Sequence, residues 1–189
     1  MTQQAETCSD AKIARIARRI DRPVVLVGLM GAGKSTVGRK LAALLGKGFV
    51  DADEAIEDAA QMPISDIFDR FGEDYFRDGE RRVIARLIDE RHGVIATGGG
   101  AFVNEVTRAL ILEKTIAVWI DCAVETLVER TARRGGRPLL RDGDPQEILT
   151  RLHREREPFY AQAPIRIAGE NAPHLETAMA IVEAIDRWL

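Results

Sequence analysis

Gly28-Leu29-Met30-Gly31-Ala32-Gly33-Lys34-Ser35 follows the spacing G-x-x-x-x-G-K-[ST] in full. Glycines at these positions let the backbone curl so that successive N–H groups point inward, a concavity suited to phosphate oxygens. A helix starting at the lysine adds the partial positive charge of its N-terminus. The Lys34 ammonium would reach the outer phosphates of a nucleoside triphosphate, and the Ser35 hydroxyl would ligate magnesium. Gly31, Ala32, Gly33, Lys34, Ser35 and Thr36 are therefore the candidate nucleotide-binding residues. Such a loop alone does not separate a kinase from a GTPase switch or a motor.

Five further groups carry possible chemistry. Asp51-Ala52-Asp53 could supply one carboxylate near magnesium and one that accepts a hydroxyl proton. It reads equally as a helix cap with acidic neighbours, with Asp53 opening the segment DEAIEDAA. Arg77 in EDYFRDGERR has Glu80 three residues on, the spacing of an ordinary surface pair. Gly98-Gly99-Gly100 directly after a short apolar run costs backbone entropy without side-chain packing, which suggests close approach of a ligand. Arg130, Arg133, Arg134, Arg137 and Arg141 surround a Gly-Gly pair, a composition suited to a mobile lid that closes over phosphates and excludes water. Arg156 and Tyr160 stand four apart, again compatible with a plain surface pair.

These residues must be held by elements. Val24–Val27, Phe49-Val50, Val94–Ala96, Thr115–Ile120 and Ile165–Ile167 read as short buried strands. Helical stretches lie between them: Lys34 to Leu45, two charged segments split by Pro63, about 104–113, 123–133, Gln146 to Tyr160, and 174–189. Strands alternating with helices give βαβ units, hence a mostly parallel sheet covered on both faces, with ligands at the strands' carboxyl ends. The expected fold is a three-layer α/β/α domain over 22–189. Residues 1–21 form an N-terminal extension, in which Ile13, Ile16 and Ile20 have the spacing of a short amphipathic helix. It could touch a membrane or a partner, or simply pack on the domain or partly fray.

The chain has 189 residues, a single domain's worth, with 46% hydrophobic and 30% charged residues. A net charge of −3 leaves no global basic field for nucleic acid or anionic lipid. No apolar run approaches a membrane span, and the N-terminus lacks the pattern of a secretory signal. Cys8 and Cys122 stand far apart without a CxxC, so neither a disulfide framework nor a zinc site is expected, and a reducing cytoplasm fits.

Taken in order, the phosphate loop, Asp51/Asp53, Phe76-Arg77-Asp78-Gly79-Glu80, Thr97–Gly100, Arg137-Pro138-Leu139-Leu140 and Glu155-Arg156-Glu157-Pro158-Phe159-Tyr160 resemble the shikimate kinase family from about residue 22 to the C-terminus. The resemblance implies a P-loop fold like that of nucleoside monophosphate kinases, with a five-stranded parallel sheet and a lid over about 133–144. It implies transfer of phosphate from ATP, with Mg2+, to the 3-hydroxyl of shikimate. By the same resemblance Lys34, Asp53 and Arg137 are catalytic, and Asp53 accepts the reacting hydroxyl. Arg77 and Arg156 grip the carboxylate, Gly99 and Gly100 line the pocket, and Arg137 reaches both substrates from the lid. Arg130 stacks on adenine, Ser35 ligates the metal, and Asp51 lies near it through water. The expected partners are the two small molecules alone, bound by a monomer, with no nucleic acid or membrane. Two rival readings share the loop: another small-molecule kinase, such as a gluconate kinase, and a regulatory module that binds nucleotide without catalysis. The first would lack the ordered Arg77, Gly98–Gly100 and Arg156 set, and the second would have lost part of it.

Overall fold

The computed structural model describes residues 2–132, 140, 143–169 and 173–189, with the backbone alone for residues 2–9. Helix α1 (Thr2–Arg19) leads into strand β1 (Val24–Val27) and helix α2 (Lys34–Leu45). Then come β2 (Phe49–Asp51), α3 (Ala52–Ala60), α4 (Ile64–Asp89) and β3 (Val94–Ala96). The chain continues with α5 (Glu105–Lys114), β4 (Ile116–Asp121), α6 (Val124–Ala132), α7 (Pro145–Tyr160), β5 (Ile165–Ala168) and α8 (His174–Trp188).

The five strands form one parallel sheet in the order β2-β3-β1-β4-β5. A strand covered on both faces has no polar side to show, and so β1 reads Val-Val-Leu-Val, all fully buried. Helices α2 and α8 pack together against the sheet, while α5 packs on β4 and against α4. The strand order puts β1 in the centre, with β3 and β4 as neighbours. The chain therefore changes direction along the sheet beside the carboxyl end of β1, where open α/β sheets bind ligands. Gly28, the exit residue, has φ +138, and a Cβ there would lie 2.5 Å from the Ile120 carbonyl oxygen. Only glycine lets β1 turn into the loop so close to β4.

The expected strands are found within a residue at each end. Three features differ from the sequence reading. Helix α1 runs 18 residues rather than a short stretch, and Ile13, Ile16 and Ile20 join the main hydrophobic core against α2 and α8. The charged segment after Pro63 is broken at Gly72, whose φ of 81 and ψ of 174 interrupt helical geometry. The aspartate that caps α3 is Asp51, accepting from Asp53 N–H at 3.0 Å, so Asp53 sits inside the first turn instead of capping it. Most of the segment expected as the lid lies outside the described residues, and Arg133, Arg134, Arg137 and Arg141 with it. No helix among the described residues is long and apolar enough to cross a membrane.

Candidate active site

The loop from Gly28 wraps over the start of α2, whose N-cap is Gly33 in the left-handed region (φ 89). Lys34 is buried and its Nζ donates to the Gly28 and Leu29 carbonyls at 2.8 Å each, which holds the ammonium at the loop's mouth. Ser35 and Thr36 follow in the first turn of α2. The Ser35 hydroxyl donates to Asp51 Oδ2 at 2.5 Å. Asp51 thus serves two elements, bonding Ser35 with one oxygen and capping α3 with the other. Gly31 lies against α6, where an added Cβ would meet Leu127 O at 3.2 Å.

The turn after β3 forms the opposite wall. Thr97 anchors it, its hydroxyl donating to the Leu26 carbonyl at 3.0 Å. Arg156 Nη1 donates to Gly99 O at 3.0 Å, and the Tyr160 hydroxyl donates to the same carbonyl. The surface-pair alternative for Arg156 and Tyr160 is therefore overturned: Tyr160 is 2% exposed and stacks between Trp119 and Phe102. Burial pushes its hydroxyl up to about 12, so it remains a donor throughout the physiological range. At Gly100, a Cβ would lie 2.6 Å from Arg77 Cζ, so any other residue would displace the guanidinium.

Arg77 also departs from the simple surface pair. It does bond Glu80 (2.9 Å) and Glu73 (3.0 Å), but Glu80 is 2% exposed. Burial opposes the charge on Arg77, and these two carboxylates more than offset it. Burial pushes the Glu80 carboxyl up from its ordinary value, Asp53 adds to that, and Arg77 works against it. Asp53 and Glu80 converge on the same turn: a Cβ on Gly98 would sit 2.8 Å from Asp53 Oδ1 and 2.7 Å from Glu80 Oε1. Glu80 Oε1 has no hydrogen-bond partner among the described residues.

These groups share one cleft of about 540 Å3, which takes in Ser35, Asp51, Asp53, Arg77, Gly98–Gly100 and Arg156. That is the size of a small-molecule site. Acids and guanidiniums share its lining: Asp51 bonds Ser35 of the phosphate loop, Asp53 and Glu80 stand at Gly98, and Arg77 and Arg156 stand at Gly100 and Gly99. A hydroxy acid would find a proton acceptor and a carboxylate clamp in one cavity. Ser35 Oγ and Asp51 together make a hard oxygen pair of the kind that holds Mg2+ alongside water and phosphate.

Comparison with known proteins agrees with the geometry. The shikimate kinase family model matches residues 30–186. A curated shikimate kinase of Novosphingobium aromaticivorans is 61% identical over the full length of both chains. The chain belongs to the shikimate kinase family. A solved shikimate kinase of Acinetobacter baumannii, in complex with shikimate, superposes with a TM-score of 0.85 at 37% identity, covering 88% of this chain and 93% of that one. A gluconokinase of Sinorhizobium meliloti reaches a TM-score of 0.61 at 18% identity over 89% of this chain and 94% of its own, which shows a shared fold and nothing more.

Within this shikimate kinase scaffold, four residues near the site carried no role in the sequence reading. Glu80 was visible only as the i+3 partner of Arg77, and its burial comes from tertiary packing against the β3 turn. Tyr160 was visible only as the partner of Arg156. Cys122 Sγ donates to Gly169 O at 2.9 Å and Ala32 O at 3.7 Å, bridging the phosphate loop and the end of β5. The His174 ring flanks Gly33, with Cε1 3.4 Å from where a Cβ would be, and the Arg130 guanidinium stands on the same side at 3.8 Å. Nothing in the local pattern around Cys122 or His174 could have signalled these contacts.

Proposed function

We propose that the enzyme transfers the γ-phosphoryl group of ATP to the 3-hydroxyl of shikimate, giving shikimate 3-phosphate and ADP. The observation that carries this reading is a single cleft whose lining combines two guanidiniums able to grip a carboxylate, Arg77 and Arg156, with Asp53 and with Ser35 and Asp51 at the phosphate loop. Shikimate has one carboxylate and hydroxyls on a small ring, and fits that combination. In this reading both guanidiniums fork onto the carboxylate, assisted by the backbone of Gly99 and Gly100. Asp53 orients the attacking hydroxyl and takes its proton as the bond to phosphorus forms.

The nucleotide is held by the backbone of Gly31, Ala32 and Gly33, with Ser35 and Thr36 at the helix start. Lys34 exchanges its two carbonyl partners for phosphate oxygens and neutralises charge that develops on them. Arg130, beside Gly33, stacks on adenine, and Arg137, in the segment expected as the lid, reaches both substrates. Mg2+ would be held by Ser35 and, through water, by Asp51, and when bound it offsets phosphate charge. The enzyme works as a monomer in a reducing cytoplasm, a setting supported by the free, buried Cys122 thiol.

A coupled ADP-release assay with shikimate, gluconate and no acceptor tests the reading. Turnover that depends on shikimate is expected. Equal release with gluconate, or release without any acceptor, would refute it.

A further inference from the structure

Behind the substrate cleft, α3 and α4 enclose a second cleft of about 350 Å3. Its floor is apolar, made by Ile56, Ile67, Phe76 and Val83, each at most 9% exposed. Arg82 and Arg86 lie on the rim, and no carboxylate is among its described lining residues. Their present ion pairs, Arg82 with Asp78 at 3.1 Å and Arg86 with Glu90 at 4.0 Å, join side chains that are all more than half exposed. Such pairs are weak and exchange readily for a better-placed anion. Gly79 opens into the same space in mid-helix, where a Cβ would meet nothing within 4 Å. Helix propensity disfavours glycine there and no neighbour demands it, so its effect is to keep the cleft open.

We propose that this cleft binds a small aromatic monocarboxylate, with its ring on the apolar floor and its carboxylate on Arg82 and Arg86. The charge and size complementarity exclude polyphosphates, which the floor could not solvate. Occupancy reaches the active site through Phe76, whose side chain borders both clefts. The Phe76 ring packs on Phe68 at 4.7 Å, and the Arg77 guanidinium lies over it at 5.1 Å. A ligand that moves this ring moves the proposed carboxylate clamp, so it changes the KM for shikimate more than kcat. The inference goes beyond the proposed reaction, and binding can be measured without turnover.

The test is calorimetric titration of the full chain with 3-phenylpropionate, and with neutral 3-phenylpropanol, at saturating shikimate so that the substrate site is filled. Saturable binding of the acid is expected with a Kd of roughly millimolar or below, the scale for a ligand of this size. Arg82→Gln with Arg86→Gln should weaken the acid about tenfold or more and leave the alcohol unchanged. Gly79→Leu should abolish both, together with any effect of the acid on the shikimate KM. Should Gly79→Leu fail to fold, the two surface arginine substitutions decide the matter alone. No saturable binding overturns the proposal, and so does equal affinity for acid and alcohol. Binding competed by shikimate but indifferent to Arg82 and Arg86 assigns the acid to the substrate site, and overturns it as well. Self-association that Gly79→Leu removes would give the cleft to a second copy of the chain instead.

Discussion

Replacing Glu80 by glutamine separates what this buried acid does for stability from what it does for the substrate. The side chain keeps its shape and one acceptor, but the 2.9 Å contact to Arg77 loses its charge. Arg77 keeps its own charge, so the bond stays in the roughly 1.5–3 kcal/mol range of hydrogen bonds to charged groups but moves from its upper to its lower end, a loss of about 1–1.5 kcal/mol of restraint. At about 1.4 kcal/mol per tenfold, the KM for shikimate should rise about 5- to 10-fold, while the KM for ATP stays put. Stability moves the other way. Burial raises the Glu80 carboxyl above its ordinary 4.5, so the folded state holds the proton more tightly than the unfolded chain. The parent therefore loses stability as pH rises from about the ordinary value through the raised one, because an ionised carboxylate must then stay buried. The amide in E80Q does not ionise and escapes that loss. Denaturant unfolding at several pH values should find E80Q as stable as the parent or more so at pH 8, with the difference closing towards pH 4.5. A shikimate KM that does not move, or a variant less stable by more than about 2 kcal/mol at pH 8, would refute the reasoning; that figure is the desolvation cost of a stranded partner.

Lys34→Ala should all but abolish turnover with the fold intact by circular dichroism, since an electrostatic group of this kind contributes roughly 3–4 kcal/mol to the transition state. Asp53→Asn should lower kcat about 100-fold or more, with ATP affinity by calorimetry little changed; the opposite split would make Asp53 a metal-side residue. Arg156→Lys should recover only part of the shikimate KM lost in Arg156→Ala, because an ammonium has no planar fork. Ile16→Ala, at a fully buried position of α1, should cost roughly 2–5 kcal/mol in unfolding, whereas an α1 that merely frays would give no change.

The sheet and the phosphate loop were legible because their signals are local. Val24–Val27 is apolar throughout since both its faces are covered, and the loop's glycines sit at fixed offsets from Lys34. The same holds for the glycine turn after β3, where three glycines in a row have few structural excuses. Glu80 and Arg77 were harder. Their i, i+3 spacing is that of any surface pair, and only the packing of α4 under the Gly98 turn buries the acid. The roles of Asp51 and Asp53 turned on which one caps α3, a matter of two residues that spacing does not fix. Gly72 gave no warning of its break, since an isolated helical glycine is common enough. Cys122 and His174 meet the phosphate loop from the end of β4 and the start of α8, and their positions depend on the whole sheet closing.

The 2.5 Å ion pair between Arg19 and Asp186 fastens the last residue of α1 to the final turn of α8. Arg19 stands just before β1 begins, at the pole of the sheet opposite the carboxyl ends of the strands. The two ends of the catalytic fold are therefore neighbours on its far side. A carrier fused after Leu189 would sit beside α1, and α1 must be kept in any such redesign because Ile13, Ile16 and Ile20 fill core positions. The same adjacency suits surface immobilisation, since a tether at Leu189 would leave the substrate face turned towards solution.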